Sequence, residues 1–362
     1  MVSLRVSNYR RVDSNRMAGR KRKSKKGKSS GAAGLLLSLL FVLLLAAGAL
    51  AWLVLTPFGP QGETFVELAP GSSSTRIGEQ LEASGVVRNQ YAFVLLRLIK
   101  RGPLRAGEYR FDHPVPMIDV YSRIARGDVF TKAVTVPEGA SIFEIAAKLQ
   151  QAGFGEAQDF LQAAVSEVGL VADLDPHAKS LEGYLFPDTY RFARKATPAQ
   201  IAATMVRRFR TQAEQLGLKG NMHAVVTMAS LVERETALDN ERPLIASVFT
   251  NRLAKNMPLM TDPAVIYGLE LSGRWRGVIH KSDLSYNTPY NTYLHAGLPP
   301  GPIANPGLKS LRAALEPAQT DYLYFVAAGA NPQGRSLFSR TLDEQEHNVA
   351  GYREAVKKAG GG

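Results

Sequence analysis

The chain has 362 residues and carries 44 Lys and Arg against 32 Asp and Glu, a formal net charge of +12. Residues 1–34 hold eleven of the basic residues and one acid, so they supply +10 of that charge and leave only +2 for the rest. The excess is too local to indicate a nucleic-acid-binding protein, although a tail that binds nucleic acid is the alternative. The absence of cysteine excludes disulfides, a thiol nucleophile and cysteine-ligated metals.

A membrane anchor follows the basic tail. Residues 35–55 have the sequence LLLSLLFVLLLAAGALAWLVL, without a charge. As an α-helix this run is about 31 Å long, enough to cross the hydrocarbon core of a bilayer. The basic residues before it predict a cytoplasmic N-terminus and an extracytoplasmic chain after Thr56. A cleavable signal peptide is the alternative, but its apolar region is shorter and the following TPFGPQG offers no cleavage site. We predict an uncleaved, single-pass membrane anchor.

The exported part begins with two related segments. PGSSSTRIGEQLEASGVV, from Pro70, aligns without a gap with EGASIFEIAAKLQQAGFG, from Glu138. Each copy predicts a strand (residues 64–68 and 133–136), a turn, and a helix closed by glycine. The protein is therefore predicted to be α+β. The first copy resembles a LysM-like α/β module, a fold that holds N-acetylated glycans; a duplicated packing module without a ligand is the alternative.

The composition along the chain predicts a defined domain order. A hairpin is expected from residues 322–327 and 336–338, followed by a helix over residues 342–358. The expected segments are a basic cytoplasmic tail (1–34), a transmembrane helix (35–55), a linker (56–63), a LysM-like module (64–130) and a C-terminal domain (131–359). The C-terminal domain comprises a repeat-related part (131–192) and a core (193–359).

The segment from Asn221 to Ala237 contains the best candidate for a catalytic group. Its apolar residues recur at i, i+3, i+4 and i+7, which predicts a helix packed on a core. Glu233 lies at the edge of that stripe, where partial desolvation favours the protonated carboxyl that a general acid needs. Glu235 points about 200° away on a helix, so only one of the two is expected to face a given cleft. A solvated charge cluster near a helix end is the structural alternative.

Two further segments have the composition of a sugar-binding site, in which aromatic faces and a few polar groups hold the ligand. One is LEGYLFPDTYRF, residues 181–192, for which a structural loop is the alternative. The other comprises TDPAVIYG and TPYNTYLHAGLPPGPIANPG, whose density of Pro, Gly and Asn predicts ordered, irregular loops. The candidate substrate-binding residues are Glu182, Tyr184, Asp262, Tyr290, Asn291, Thr292, Tyr293 and Asn305.

Several long strings in one order resemble the YceG-like (MltG) family of membrane-anchored endolytic murein transglycosylases. These are EGYLFPDTY, SLVERET, TDPAVIYG, YNTYLHAGLPPGPIANPG, DYLYFVA, and FSRTL with EHN. The resemblance runs from about Phe65 to Ala359. It implies cleavage of peptidoglycan strands between N-acetylmuramic acid and N-acetylglucosamine, with 1,6-anhydro ends and Glu233 as the catalytic residue. One departure is Met260, where family members often have Gln.

The implied reaction needs only one carboxyl. The substrate's own C6 hydroxyl attacks C1, so the residue that protonates the leaving oxygen can then take the C6 proton. No metal or cofactor is expected, because the six histidines show no ligand spacing. Expected partners are peptidoglycan strands, the membrane and peptidoglycan synthases, and no nucleic acid. Two alternatives stay open: a non-catalytic glycan-binding anchor, and a muramidase with a second acid such as Glu235, Asp262 or Glu182.

Overall fold

The structure, a computed structural model, describes residues 29–331 and 334–359. Residues 1–28, most of the predicted basic tail, lie outside the described part of the chain. The chain divides into two compact units, Met1–Asp128 and Val129–Gly362. Both units combine helices with short antiparallel strands, which confirms the α+β class.

The described residues of the first unit, 29–128, form a two-stranded sheet and four helices. Strand β1 pairs with β2 in antiparallel register, with Thr64 opposite Phe111. The helices and the sheet together enclose one buried hydrophobic core. Its elements are α1 (Ser29–Leu55), β1 (Thr64–Leu68), α2 (Ser74–Ala83), α3 (Gln90–Lys100), β2 (Gly107–Phe111) and α4 (Met117–Arg126).

Helix α1 contains the predicted membrane span. Its segment Ala33–Leu55 is long and apolar enough to cross a bilayer, in agreement with the predicted run of residues 35–55. The last turns of α1 have a second role: Val54 is buried, and Leu50 and Leu53 pack against the core of the first unit. The C-terminal end of the helix therefore belongs to the core of the first unit.

The second unit contains two further strand pairs and eight helices among its described residues. Strand β3 pairs with β4, and β5 with β6, both antiparallel. Its elements are β3 (Thr131–Thr135), α5 (Ile142–Gln151), α6 (Ala157–Ser166), a 3-10 turn (Glu167–Val171), β4 (Thr189–Ala193), α7 (Pro198–Gln215), α8 (His223–Glu235), α9 (Arg242–Ala254), α10 (Asp262–Leu271), a 3-10 turn (Asp283–Ser285), α11 (Leu308–Leu315), β5 (Tyr324–Ala327), β6 (Ser336–Ser339) and α12 (Leu342–Ala359).

The two repeat copies have the same local structure. Each has the order strand, helix, helix, strand, with its two strands paired. The first helix of each copy begins directly after an aligned serine: the Ser73 hydroxyl accepts a hydrogen bond from the Arg76 N–H, and the Ser141 hydroxyl accepts one from the Glu144 N–H. A serine at this position satisfies an amide that would otherwise lack a partner at the helix start.

The aromatic segment 181–192 differs in part from the expected loop. It ends in strand β4, in which Tyr190 and Phe192 are buried while Thr189 and Arg191 are exposed. This alternation places the two aromatic rings on the core side of the pleat, so their composition serves packing. The predicted C-terminal hairpin and helix are confirmed as β5, β6 and α12.

Helix α8 lies between two hydrophobic clusters of the second unit. Val226 and Ala229 belong to one cluster, and Leu231 and Val232 belong to the other. A helix that is apolar on opposite sides is fixed in both position and rotation by its neighbours. Its C-terminal end, which contains Glu233, is consequently held on a rigid support.

Candidate active site

The Glu233 carboxyl is nearly enclosed by protein. Its side chain is 5% exposed. Oε1 accepts a hydrogen bond from Arg242 Nη2 at 3.0 Å, and Oε2 accepts one from the Gly307 N–H at 2.9 Å. Both oxygens are therefore fixed, one by a residue of α9 and the other by the residue that precedes α11.

Arg242 is the central cation of the site. Its side chain is as buried as that of Glu233, its Nε donates to the Ser310 hydroxyl at 3.0 Å, and its Nη1 donates to Asp239. The planar guanidinium has donors in a fixed fork, so these contacts restrict its position and its orientation together. The residue thus joins the C-terminal end of α8 to α9 and α11.

Glu138 is a second carboxyl at the same guanidinium, and sequence analysis did not single it out. Its Oε2 lies 4.0 Å from Arg242 Nη2, and its side chain is 49% exposed. Partial burial raises the pKa of Glu138, and the nearby charge of Glu233 adds to this effect. A Cβ at Gly307 would collide with the Glu138 carboxyl, so a larger residue there would displace this half-exposed side chain from the site. The repeat could have indicated Glu138, because the aligned residue of the first copy is Pro70 and the carboxyl is therefore present in the second copy alone.

Three adjoining cavities form one elongated groove, here called the catalytic groove. The central cavity, of about 520 Å³, contains Glu233 in its lining. It shares Glu138, Gly139 and Arg234 with a cavity of about 340 Å³ that extends along α5. It shares residues 235–237 with a cavity of about 230 Å³ beside β5 and β6. Glu233 therefore lies near the middle of a groove longer than one pocket.

Glu235 lines the catalytic groove together with Glu233. The expectation that only one of them faces a given cleft is wrong. The rotation of about 200° applies while a helix continues, but α8 ends at Glu235 and Thr236 is extended. The groove crosses the end of the helix, so side chains from different faces reach it. Burial raises the pKa of Glu235 to about 7, and the charge of Asp262 contributes to this rise.

Two of the predicted substrate-binding residues lie beside Glu235. Asp262 is exposed at the first turn of α10, and its Oδ1 accepts a hydrogen bond of 2.6 Å from the Tyr293 hydroxyl. Burial and this bond raise the pKa of Tyr293 well above its ordinary range. Met260, the departure from the family pattern, is 50% exposed just before this turn. These side chains extend the polar surface from Glu235 towards α10.

The structure places Asn291 and Thr292 inside the protein rather than in the lining of the groove. The buried Asn291 amide donates to the carbonyls of Leu284 and Tyr286 at 3.0 and 2.8 Å, and its Oδ1 accepts from the Tyr293 N–H. The Thr292 hydroxyl accepts a hydrogen bond from the Thr261 N–H and donates one to the Thr261 carbonyl. Their side-chain groups are used to hold the loop, and contact with substrate stays a prediction.

Glu182 and Asn305 form a buried polar pair that shapes the turn before α5. Glu182 accepts hydrogen bonds from the Ile142 N–H at 2.9 Å and from the Asn305 amide at 2.7 Å. Asn305 also donates to the Ala140 carbonyl. Burial raises the pKa of Glu182 to about 8, while its bonds oppose the rise. The pair supports the turn that contains Glu138.

The two remaining predicted residues also face the interior. Tyr184 is fully buried, its hydroxyl donates to Asp175 at 2.7 Å, and its ring packs on Phe209. Tyr290 is half-buried, and its ring lies edge-on to Tyr267 with centroids 5.0 Å apart. Neither lines the catalytic groove. Their direct contact with a glycan is likewise a prediction.

Comparisons with known proteins show to which family the chain belongs. The YceG-like family model matches residues 66–351. A protein of Bacillus subtilis (strain 168) named endolytic murein transglycosylase is 34% identical over 306 residues, which cover 79% of this chain and 83% of that protein. The solved structure of a YceG-like protein from Listeria monocytogenes has a TM-score of 0.52 and 32% identity, covering 80% of this chain and 99% of that one. The chain belongs to the YceG-like family.

Two more distant relatives are pneumococcal. Proteins of Streptococcus pneumoniae serotype 2 (strain D39 / NCTC 7466) and strain ATCC BAA-255 / R6 have the same name and are 28% identical over 318 residues. The match covers 79% of this chain but 57% of each pneumococcal protein. Within residues 29–331 and 334–359 of this chain, no three His, Asp or Glu side chains are grouped as a metal site.

Proposed function

We propose that this chain is an endolytic murein transglycosylase, which cleaves peptidoglycan strands between N-acetylmuramic acid and N-acetylglucosamine and leaves 1,6-anhydro ends. The observation that carries the proposal is the position of Glu233: an almost buried carboxyl, with both oxygens fixed, near the middle of an elongated groove. An elongated groove accommodates sugars on both sides of an internal bond. The names of the Bacillus and pneumococcal relatives support the same activity.

The geometry supports a reaction with one acid–base residue. Glu233, protonated in the enzyme–glycan complex, donates its proton to the glycosidic oxygen while the bond from that oxygen to C1 breaks. Arg242 and the Gly307 N–H stabilise the carboxylate that remains. The carboxylate then accepts the proton of the substrate's C6 hydroxyl as that oxygen bonds to C1. The proton returns to Glu233, and no water is consumed.

The test is the Glu233→Gln variant assayed on purified peptidoglycan. The amide keeps the shape of the side chain and removes the transferable proton, so we expect a loss of roughly 10⁴-fold or more in rate. Glu235→Gln, the matched control on the same helix end, should cost much less. Mass spectrometry should detect anhydro ends, lighter by one water than hydrolysed ends. An active Glu233→Gln protein contradicts the assignment of Glu233.

A muramidase is the second candidate, and one observation favours it. Glu138 and Glu233 lie within 4.0 and 3.0 Å of the same Arg242 nitrogen. Carboxyl pairs of glycosidases are roughly 5 to 9.5 Å apart, so Glu138 is a better second acid than the fully buried Glu182. A muramidase would produce hydrated ends and would lose activity as completely in Glu138→Gln as in Glu233→Gln.

We further propose that Asp262 and Tyr293 contact the glycan beside Glu235. The exposed Asp262 carboxyl and the half-buried Tyr293 hydroxyl are suited to hydrogen bonds with sugar hydroxyls, and the Tyr293 ring is suited to stacking on a pyranose. Peptidoglycan synthases are proposed as partners, and the family resemblance supports a site of action close to the membrane.

The remaining proposals concern the first unit. The apolar helix α1, preceded by basic residues, supports an inner-membrane anchor with a cytoplasmic N-terminus and an extracytoplasmic second unit. The LysM-like assignment of residues 64–130 also stays a proposal. It is supported by the strand–helix–helix–strand order of that segment.

A further inference from the structure

A second cavity, of about 640 Å³, lies apart from the catalytic groove. It forms where α10 ends and the chain enters the 3-10 turn of residues 283–285. None of its lining residues lines the groove. Its lining consists of Gly273, Arg274, Trp275, Arg276, Ser282, Asp283, Ser285 and Tyr286.

The cavity has an excess of positive charge. Arg276 forms an ion pair with Asp283 at 3.2 Å, and the His280 N–H also donates to that carboxylate. The Arg274 guanidinium instead lies over the Tyr286 ring, 4.8 Å from its centroid. Among the ion pairs of the described residues, none involves Arg274. One guanidinium therefore remains available to an anion, and an aromatic ring already fixes its position.

We propose that this cavity binds the carboxylate-bearing stem peptide that peptidoglycan carries on its muramic acid residues. The Arg274 guanidinium would bind a carboxylate, since its paired donors match the two oxygens. The hydroxyls of Ser282 and Ser285 would hydrogen-bond peptide amides, and Trp275 would cover the aliphatic part. The inference rests on the proposed function, because it assigns a second part of the same substrate.

The position of the cavity fits a branch of a strand bound in the catalytic groove. Helix α10 starts with Asp262, beside Glu235, and ends at Leu271, next to the cavity. Ten helical residues span about 15 Å. A polymer with peptide side chains reaches both places at once. A membrane contact is less suited to this surface, because the cavity is concave, lined by hydroxyls and a carboxylate, and Trp275 is half-buried.

The experiment compares two substrates with the full chain in detergent. One consists of glycan strands with stem peptides, and the other of strands stripped by an amidase, which keep the lactyl carboxylate of muramic acid. Arg274→Glu should lower kcat/KM on peptide-bearing strands roughly tenfold or more, as expected for a lost charge-assisted bond. Its rate on stripped strands should stay at the parental value. The control is Arg353→Glu on α12, an exposed residue outside the cavity, which should change neither rate.

Equal rates for Arg274→Glu and the parent on both substrates would overturn the inference. So would an equal loss on both, which would assign Arg274 to the lactyl carboxylate or to the fold.

A binding measurement separates this inference from the proposed function. Titration calorimetry with a muramyl tripeptide should show binding to the parent and to Glu233→Gln, and at least about tenfold weaker binding to Arg274→Glu. If the parent produces no anhydro ends yet binds the tripeptide through Arg274, the proposed reaction fails and the site stands. If the parent does not bind the tripeptide, the site fails and the reaction is unaffected.

Discussion

At the scale of single residues, Arg242 determines the geometry of the active site. Its guanidinium contacts Glu233, Asp239 and Ser310 together, and Glu138 lies 4.0 Å from it. A buried ion pair contributes little net stability when it is intact, but the loss of one partner leaves the other charge unpaired. The site therefore depends on Arg242 for both its charge balance and its shape.

Arg242→Ala should destabilise the protein by about 3 to 5 kcal/mol, because the buried Glu233 loses its cation. Arg242→Lys keeps the charge but lacks the fork, so it should lower the free energy of unfolding less and still slow turnover strongly. Urea unfolding and the rate of anhydro-end formation measure the two effects. A lysine variant with parental turnover would show that the fork is not needed.

The hydrogen bonds of Asn291 predict a role in stability, which differs from its predicted role in substrate binding. Asn291→Ala removes two donors from half-buried carbonyls and one acceptor from a backbone N–H, so it should lower the free energy of unfolding by about 1 to 3 kcal/mol. The control is Asn287→Ala at an exposed position of the same loop. Urea unfolding distinguishes the two variants. Parental stability combined with strongly slowed cleavage would instead support a substrate contact for Asn291.

At the scale of elements, the catalytic groove is assembled by the ends of helices. The C-terminal end of α8, the first residue of α9 and the residue before α11 supply the contacts around Glu233. The turn before α5 adds Glu138, and Arg234 of α8 donates to the Gly139 carbonyl at 3.0 Å to hold that turn. Helix ends place polar backbone and side chains beside one another while the helix centres stay packed in the core.

Glu182 links the turn before α5 to Asn305 and makes stability depend on pH. The pKa of Glu182 is raised from 4.5 to about 8 by burial. The folded protein therefore keeps a proton on Glu182 that the unfolded chain has released between these values. Its contribution is fully present below about pH 4.5 and is lost as the pH rises through about 8. The free energy of unfolding should accordingly fall from pH 5 to pH 8.

Glu182→Gln should flatten this dependence, because the amide does not titrate in the range. Its stability at pH 5 should lie below that of the parent, since an amide replaces one acceptor oxygen with a donor facing other donors. The control is Glu316→Gln at an exposed position, which should leave the slope unchanged. The measurement is urea unfolding followed by circular dichroism across the range. A parental slope in Glu182→Gln would assign the pH dependence to other groups.

At the scale of the whole molecule, the anchor is expected to matter for cellular activity more than for chemistry. The residues around Glu233 all belong to the second unit. Replacing residues 1–48 by a cleavable signal should leave a protein that cuts purified peptidoglycan at the parental rate. Its activity in cells should fall, because a tether raises the effective concentration of enzyme near the membrane. Full complementation at native expression would remove this explanation for the anchor.

The position of the cut should matter as well. Removing residues 1–55 also removes Leu50, Leu53 and Val54, which pack in the first unit. The loss of this apolar contact should cost about 2 kcal/mol or more. Thermal unfolding of the two truncated proteins measures the difference. Identical melting temperatures would show that the last turns of α1 do not support the first unit.

The sequence by itself determined the features that depend on local order. The charge-free run of residues 35–55, the serine-capped helices of the repeat and the hairpin of β5 and β6 each follow from neighbouring residues, because helices, strands and turns are set by short-range patterns. The candidate Glu233 also came from a local pattern, its place at the edge of the stripe of α8. The order of family motifs added the expected reaction.

Only the tertiary structure decided which of these residues meet. Glu138 lies 95 positions before Glu233, and Gly307 lies 74 positions after it, yet they surround one carboxyl. Aromatic and amide residues such as Tyr184, Asn291 and Asn305 have the composition of a sugar site, but their polar atoms bond to other groups inside the protein. Composition does not distinguish these two uses, because a buried hydrogen bond and a ligand contact require the same side chains. The packing of helices that are distant in the sequence determines which side chains stay accessible to a ligand.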